Sequence, residues 1–383
     1  MCISASASYV VLGYPSNLTW GASVNGNTVA SWSIPPPPGA LFANWSYSST
    51  ITFSGYRGSD ALTNFPVMVV LGTNTVFNFS PTQAAYRATG QDVRFSDSTL
   101  ATELNYEKGS WNTNATSNSY FWVQVPLLTN GASIVAYWGR TNQTAPAYST
   151  NGAAWTPYVA VWHLGEAATS AAGALKDSTV NTNNATGATI TNSPPNFGVN
   201  ALGLAGSGSS YITPVSVLNG GTISGCSNLT VSGWFKGLPA AAESGFIMAH
   251  NGTSSWGLMR CTTAGRIAYS WGAEVTNTIG FLGPVYDNWG WDYVGLVIDH
   301  TNATLYSYGL AQNVSTNYRN HTGASLNNNF YLGWNTKGGS RYFWGAMQEI
   351  RIATNSFSKS WMDAVYLNTG SNSIFQSYSV ATP

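Results

Sequence analysis

Charge is what this sequence has least of. Fourteen basic and fourteen acidic residues among 383 cancel to a net charge of zero and make up 7% of the chain, whereas an ordinary soluble domain has roughly 25%. A chain with no net charge has no long-range field to attract a phosphate backbone or an anionic membrane surface. We therefore expect no nucleic-acid partner, and contacts that are insensitive to salt.

Long apolar runs are missing as well. The longest are Phe65 to Leu71 and Tyr293 to Ile298. A helix needs about 20 apolar residues to cross a membrane, so no membrane span is expected. The basic start of a secretion signal is also missing, because the first basic residue is Arg57. We expect either that a signal has been removed or that this is part of a longer chain.

Cysteine is too scarce for a disulfide framework. Cys2, Cys226 and Cys261 are the only three cysteines, and their spacing is not that of a zinc site. A Cys226–Cys261 bridge would close a loop of about 35 residues and stabilise the fold by roughly 4 kcal/mol. The alternative is that both are small buried apolar residues. Cys2 would be the odd thiol, or a lipid-anchor cysteine if processing exposed it.

Recognisable catalytic motifs are missing too. A glycosidase needs two carboxylates about 5 to 9.5 Å apart, but no strand carries an E-x-D-x-E pattern. The histidines form neither an H-E-x-x-H motif nor a triad with a nucleophile elbow. Three acidic residues, Asp92, Asp97 and Glu107, could converge with Arg94, and we expect a loop-fixing ion-pair network rather than a reactive group. The prediction is that the chain is not an enzyme.

What the sequence does contain is typical of an extracellular β protein. Asn, Ser, Thr and Gly keep the surface wet, while Trp, Tyr and Phe, at 14%, supply the burial. Period-two patterns bounded by turn residues predict an all-β fold, and their spacing favours two β-sandwich or jelly-roll domains in tandem. We place these domains at residues 39–150 and 156–383. One helix is predicted, over Ser358 to Leu367, with Ser358 as its cap.

Residues 1–38 read as an N-terminal β arm. Apolar and polar residues alternate in two segments, Leu18 to Ser23 and Thr28 to Trp32, which lie on either side of Asn25-Gly26. An Asn-Gly pair between such segments is a strong signal for a β-hairpin. Pro35 to Pro38 then forms a polyproline spacer of about 12 Å. Because a lone hairpin is marginal in water, the arm could add strands to a neighbouring subunit. The alternative is the end of a preceding domain.

Potential glycosylation sites are frequent. An Asn-x-Ser/Thr sequon marks a surface acceptor if the protein is secreted. The sequons begin at Asn17, Asn44, Asn78, Asn114, Asn142, Asn184, Asn228, Asn251, Asn302, Asn313 and Asn320. Their excess over chance is small, so they only weakly indicate a glycoprotein.

The first half contains a series of motifs. Trp45-Ser-Tyr47 comes first, Leu62 to Val67 has the pattern L-x-x-F-P-V, and Gly90 to Asp97 has the pattern G-x-D-x-R-F-x-D. Leu104 to Glu107, Trp111, Trp122 to Pro126, and Tyr137 to Gly139 follow in order. In these motifs the first half resembles the secreted family called domain of unknown function 2341. The family usually has a glycine after Asp97, where this chain has Ser98-Thr99-Leu100.

The second half has its own set of motif-like segments, namely Val161 to Glu166, Lys176 to Thr179, Leu229 to Phe235, Leu305-Tyr306, Gly345 to Ile352, and Ser360 to Tyr366. In these segments it resembles the LamG-like, concanavalin-type jelly rolls. This resemblance implies a jelly-roll fold that frequently binds glycans or surfaces. It also implies that His163 is a satisfied core histidine.

The same resemblance implies a possible Ca²⁺ site. Its ligands would be Asp177, oxygens near Asn181 to Asn184 (we select Asn184), and Glu349. The family's usual Asp before that Glu is Gln348 here, so affinity should be lower. The alternative is an Asx-turn at Asp177 and a salt bridge between Glu349 and Arg351.

Whether the chain binds carbohydrate depends on its tryptophans, because sugar rings stack on exposed aromatic faces. By resemblance we assign Trp162, Trp234, Trp291 and Trp361 to the core. The candidate carbohydrate-binding residues are Trp256, Trp271, Trp289, Trp334 and Trp344.

These observations predict a non-catalytic structural or adhesive protein, secreted or at the cell surface. It would self-assemble, as a filament or surface-layer subunit, by adding its N-terminal arm to a neighbour. Two alternatives remain open: a carbohydrate-binding protein for extracellular polysaccharide capture, and an enzyme that acts on glycans.

Overall fold

The chain is an all-β protein built from antiparallel sheets. The computed structural model describes residues 19–24, 27–33, 41–72, 88–114, 117–198, 200–208, 210–214, 227–237, 244–250, 255–261, 265–271, 283–286, 290–309, 313–318, 321, 330–335 and 341–379. Among these, no helix is long and apolar enough to cross a membrane.

The predicted hairpin is confirmed. Strands β1 (Thr19–Val24) and β2 (Asn27–Ser33) pair antiparallel on either side of residues 25–26. They form a sheet of their own, with no third strand among the described residues.

The first half is a small β-sandwich with two sheets. Its strands are β3 (Tyr47–Thr52), β4 (Leu62–Leu71), β5 (Arg94–Asp97), β6 (Tyr106–Ser110), β7 (Ser119–Leu128) and β8 (Ser133–Trp138). One sheet has the order β4-β7-β6, and the other contains β3, β8 and β5. Between them, Phe95, Tyr106 and Phe121 meet edge to face at 5.3 to 5.6 Å between ring centroids.

The second half is a larger sandwich. Its strands are β9 (Ala160–Trp162), β10 (Ala185–Ala188), β11 (Ile190–Ser193), β12 (Ala201–Ala205), β13 (Tyr211–Pro214), β14 (Leu229–Gly237), β15 (Ser244–His250), β16 (Ser255–Cys261), β17 (Arg266–Ser270), β18 (Asp292–Ile298), β19 (Asn302–Ser307), β20 (Asn313–Tyr318), β21 (Phe330–Leu332) and β22 (Trp344–Ala353). A six-stranded sheet has the order β10-β13-β21-β15-β16-β17. An eight-stranded sheet has the order β11-β12-β22-β14-β18-β19-β20, with β9 also paired to β22.

Strand β22 contains a bulge that matters for the site. Ser232 on β14 faces Arg351 and Trp234 faces Gln348, so Glu349 and Ile350 both stand opposite Gly233. Glu349 has a φ of 54°, a left-handed conformation that side-chain-bearing residues rarely adopt. A Cβ at position 233 would lie 2.4 Å from Ile350 Cδ1, so a larger residue there would require the Ile350 side chain to shift.

The C-terminal segment ties the two halves together. Helices α1 (Lys359–Gly370) and α2 (Asn372–Phe375) are followed by β23 (Ser377–Tyr378), which pairs with β3 in the first half. The predicted cap is confirmed, because the Ser358 side chain accepts a hydrogen bond from the Trp361 backbone N–H. This segment lies within the predicted domain 156–383, yet its last strand completes a sheet of the first sandwich.

Amide side chains of this segment also cover the outer edge of β4. Asn368 Oδ1 accepts a hydrogen bond of 2.7 Å from the Met68 N–H, and the Met68 carbonyl accepts bonds from Asn368, Asn372 and Gln376. These contacts satisfy backbone groups that an outermost strand would otherwise leave unpaired.

Candidate functional site

Four charged residues form a connected group where the two halves meet, here called the ion chain. Glu107 lies on β6 of the first half, and His163 directly follows β9 of the second. Glu349 and Arg351 lie on β22, and the bulge there carries Glu349 to the backbone carbonyl of His163, which its N–H reaches at 3.2 Å. The ion chain therefore joins three strands from both halves.

Each ring nitrogen of His163 contacts a carboxylate. Nδ1 contacts Glu349 Oε1, and Nε2 lies 3.4 Å from Glu107 Oε2. The other Glu349 oxygen accepts hydrogen bonds from Arg351 Nη2 at 3.0 Å and Nε at 3.3 Å. Glu107 also accepts hydrogen bonds from Trp155 Nε1 and Ser178 Oγ. The prediction of a satisfied His163 is confirmed, although its side chain is 20% exposed.

Aromatic rings surround these charges. The Arg351 guanidinium carbon lies 4.7 Å from the Trp122 ring centroid, 5.0 Å from Trp155 and 5.7 Å from Tyr158. The His163 ring stacks on Trp122 at 5.4 Å with an interplanar angle of 12°. Cations over aromatic faces are stabilised most where water is excluded, and Arg351 is only 1% exposed.

The pKa values follow from this geometry. Burial opposes a charge on His163, but the carboxylates of Glu349 and Glu107 outweigh it and raise the pKa of His163 to about 10. Burial likewise opposes a charge on Glu349, yet His163 and Arg351 hold the pKa of its carboxyl below the ordinary value. At neutral pH, His163, Glu349 and Arg351 are therefore all charged.

A charged, fully partnered histidine is poorly suited to acid–base chemistry. A general base needs a free lone pair and a pKa near the working pH, whereas His163 has neither. The cleft beside it, lined by Trp122, Phe197 and Gln348, holds only ≈ 50 Å³, and ligand pockets for drug-sized molecules have roughly 300 to 1,000 Å³. The arrangement therefore fits a structural contact that holds the two halves together.

The predicted convergence of Asp97 and Glu107 on Arg94 is wrong. Arg94 pairs instead with Glu103 at 3.3 Å. Asp97 accepts hydrogen bonds from Thr99, Ala101 and Thr102, which closes its own turn, and Leu100 adopts a φ of 63° in this turn. Asp92 accepts from the Gly139 N–H.

The proposed calcium ligands are engaged elsewhere. The Asp177 carboxylate accepts backbone hydrogen bonds from Val161, Thr179 and Asn183, as in the Asx-turn alternative. Asn184 Oδ1 accepts from the Asp177 N–H, and Glu349 belongs to the ion chain. The described residues contain no group of three or more acidic, His or Cys side chains that could hold a metal ion, and calcium binding stays a prediction.

The structure separates the predicted carbohydrate-binding tryptophans. Trp256 and Trp271 are 2% and 4% exposed, because each packs inside the sandwich, Trp256 stacking on Phe330 at 5.4 Å. Neither can offer a face to a sugar. Trp289 lies outside the described residues. Of the tryptophans assigned to the core, Trp162, Trp234 and Trp361 are buried and Trp291 is half-buried.

Trp334 packs in an aromatic cluster with Tyr211, Tyr331 and Tyr342. Trp344 follows Tyr342 by two residues, and these five residues are here called the aromatic rim. Trp334 stacks on Tyr342 with 5.2 Å between ring centroids and packs against Tyr211 with 5.1 Å between centroids. Neighbouring rings therefore cover the Trp334 ring. Trp344 is 48% exposed and lies against Gly206, as Tyr342 lies near Gly208. Trp344 is the rim's exposed platform.

The remaining predicted residues have mixed placements. Cys2 and Cys226 lie outside the described residues, and Cys261 ends β16, so the disulfide stays a prediction. The sequon asparagines Asn44, Asn114, Asn142 and Asn228 are exposed. Asn302 is less accessible, since its amide nitrogen donates to the Asp299 carboxylate. Asn313 begins β20, and Asn17, Asn78, Asn251 and Asn320 lie outside the described residues.

Comparisons with known proteins show likeness in fold only. No family model and no curated protein matches the chain. Domain 4 of an extracellular arabinanase from Geobacillus stearothermophilus, solved with arabinotriose, is 20% identical over 54% of this chain and 96% of that chain, with a TM-score of 0.40. The binding domain of Paraclostridial Mosquitocidal Protein 1 is 13% identical over 55% of this chain and 52% of that one, with a TM-score of 0.39.

A third solved structure is Trypanosoma rangeli sialidase with sialic acid, 12% identical over 65% of this chain and 42% of that chain, with a TM-score of 0.39. The match therefore spans about half of the toxin domain and less than half of the sialidase. Likeness this low carries no argument about what this chain does, and both family resemblances stay predictions.

The ion chain predicts how stability depends on pH. The pKa of His163 is raised above its unfolded value of about 6.5, so its contribution is complete below that pH and is lost as pH rises through about 10. Urea unfolding at a series of pH values should show a falling free energy of unfolding across this window. Glu107→Gln should lower the midpoint of the His163 imidazole titration measured by NMR.

Glu103→Gln is the matched control, because Glu103 pairs with Arg94 and not with His163. It should leave the His163 midpoint unchanged. A wild-type midpoint near the ordinary histidine value would contradict the assignment.

Proposed function

We propose that this chain is a non-catalytic extracellular adhesive protein, secreted or held at the cell surface, that binds a neutral glycan at the aromatic rim. The observation that carries the proposal is Trp344, a large aromatic side chain that is 48% exposed and lies two residues after Tyr342, which stacks on Trp334. Exposed aromatic groups beside polar hydroxyls suit the apolar faces and hydroxyl edges of sugar rings.

The charge distribution supports a neutral partner. With a net charge of zero, the chain has no field to concentrate a charged polysaccharide. The rim's own side chains are uncharged aromatics, so stacking and hydrogen bonds would dominate. Binding should change little between low and high salt.

The ion chain supports the non-catalytic part of the proposal. The acid and base groups of the ion chain are engaged with one another, because Glu107 and Glu349 each pair with His163. A glycosidase would need one carboxyl held protonated at working pH and another free to act as base or nucleophile. Glu349, with its pKa lowered by His163 and Arg351, is unsuited to the first role.

A glycan array of neutral polysaccharides and oligosaccharides tests the proposal. Trp344→Ala should weaken binding of the retained ligand roughly 5- to 150-fold, because stacking of one ring on an aromatic side chain contributes on the order of 1–3 kcal/mol. The fold should persist, since the side chain is half exposed.

Leu127→Ala is the control, because Leu127 is 55% exposed on β7 of the first half, whereas the rim residues lie in the second half. It should bind as wild type does. Equal binding by Trp344→Ala and wild type would refute the rim as the site. Turnover of a bound glycan that Glu107→Gln abolishes would refute the non-catalytic assignment.

A second candidate function, self-assembly through the N-terminal hairpin, is favoured by a separate observation. β1 and β2 pair with no other strand among the described residues, and two strands alone are marginally stable in water. Joining a neighbour's sheet would give them the third strand they lack.

Deleting residues 1–38 tests this function. The truncated chain should stay folded, because both cores lie beyond residue 41, and light scattering should report monomers where the full chain forms larger species. Assembly that survives the deletion would contradict the arm's role.

A further inference from the structure

Most outermost strands of the sheets are short, charged or covered. β5, β10 and β11 have four residues each and β23 has two. β6 carries Glu107 and Lys108, and β17 begins with Arg266. β4 is long, but the amides of the C-terminal segment occupy its backbone at Met68. Natural sheets use such devices to prevent pairing with other chains.

Strand β20 has none of these protections among the described residues. It is the outermost strand of the eight-stranded sheet and spans six residues without charge or proline. Its inner side is paired with β19 along its whole length. Val314 and Tyr318 are 44% and 84% exposed, and the period of two places them on one face with Thr316.

The hairpin has the properties that would complete this edge. Neither β1 nor β2 contains a charged residue. The register pairs Trp20 with Trp32 and Ala22 with Ala30. Apolar residues of the two strands therefore stand opposite one another in the register. An apolar hairpin and an apolar edge, both uncharged, can pair without electrostatic cost.

We propose that β20 of one copy of this chain accepts the N-terminal hairpin of a second copy, which adds β1 or β2 as the next strand of the eight-stranded sheet. This inference rests on the self-assembly proposed above. The occupant is a second copy because the hairpin forms a sheet separate from every other described strand of its own chain.

The geometry of this contact is head-to-tail. Donor and acceptor are different surfaces, so each copy can give its hairpin to one neighbour and receive a hairpin from another. Repetition of a heterologous contact produces an open filament, or a ring if the rotation closes. The aromatic rim lies on other strands, β13, β21 and β22, and would remain available.

The decisive experiment uses two variants that each lack one half of the contact. Deletion of residues 1–38 removes the donor and leaves β20 intact. Val314→Lys with Tyr318→Lys adds to β20 the charges that protected edges carry, at exposed positions, and leaves the hairpin intact. Each variant alone should be monomeric by light scattering. Their mixture should form dimers of one copy of each and nothing longer.

A matched control carries the same added charge elsewhere. Leu127→Lys with Ile374→Lys changes two side chains that are 55% and 69% exposed, and it should assemble as the wild type does. Loss of assembly in this control would assign the effect to net charge and overturn the inference.

The outcomes separate the inference from the function on which it rests. If the deletion yields monomers but Val314→Lys with Tyr318→Lys assembles normally, the acceptor is not β20 and the self-assembly proposal stands. A mixture that forms no dimer also overturns the inference. If the full chain is monomeric, or the deletion still assembles, both proposals are overturned.

Discussion

The contact of His163 with Glu107 and Glu349 is the interaction on which the rest of this structure depends. It crosses between the two sandwiches, and Arg351 extends it into a box of aromatic rings. Removing one partner from a buried ion pair costs about 3–5 kcal/mol, since the other charge is left uncompensated. Only fourteen residues of this chain are acidic, and two of them take part in this contact between the halves.

Two local features make this placement possible. The bulge at Glu349, with a φ of 54°, turns one residue of a long core strand toward His163, at a cost of order 1–3 kcal/mol. The C-terminal segment then returns to the first half, where β23 pairs with β3 and Asn368 hydrogen-bonds Met68. The two sandwiches are therefore connected by charge, by backbone pairing and by amide hydrogen bonds.

Much of the fold could be predicted from the sequence, because local signals determine it. Asn25-Gly26 between alternating segments predicted the β1–β2 pair, and Ser358 predicted the helix cap. Strand β6 could not be predicted, because its sequence, YEKGS, is polar and lacks alternation. The same strand carries Glu107, so no sequence pattern indicates its contact with His163 across the domain boundary.

The candidate binding residues were harder to predict for a related physical reason. A tryptophan in a strand alternates with its neighbours, but which face becomes the core depends on how the sheets pack. Trp256 and Trp271 therefore proved buried while Trp344 proved exposed. Exposure is a property of the assembled sandwich, and no local pattern distinguishes these residues.

Calorimetry tests the central claim that the ion chain makes one cooperative unit of two sandwiches. If it does, the wild type will unfold in one transition with equal calorimetric and van't Hoff enthalpies, and His163→Gln will shift that transition downward or split it. Two independent transitions in the wild type, both unmoved by His163→Gln, would contradict the account.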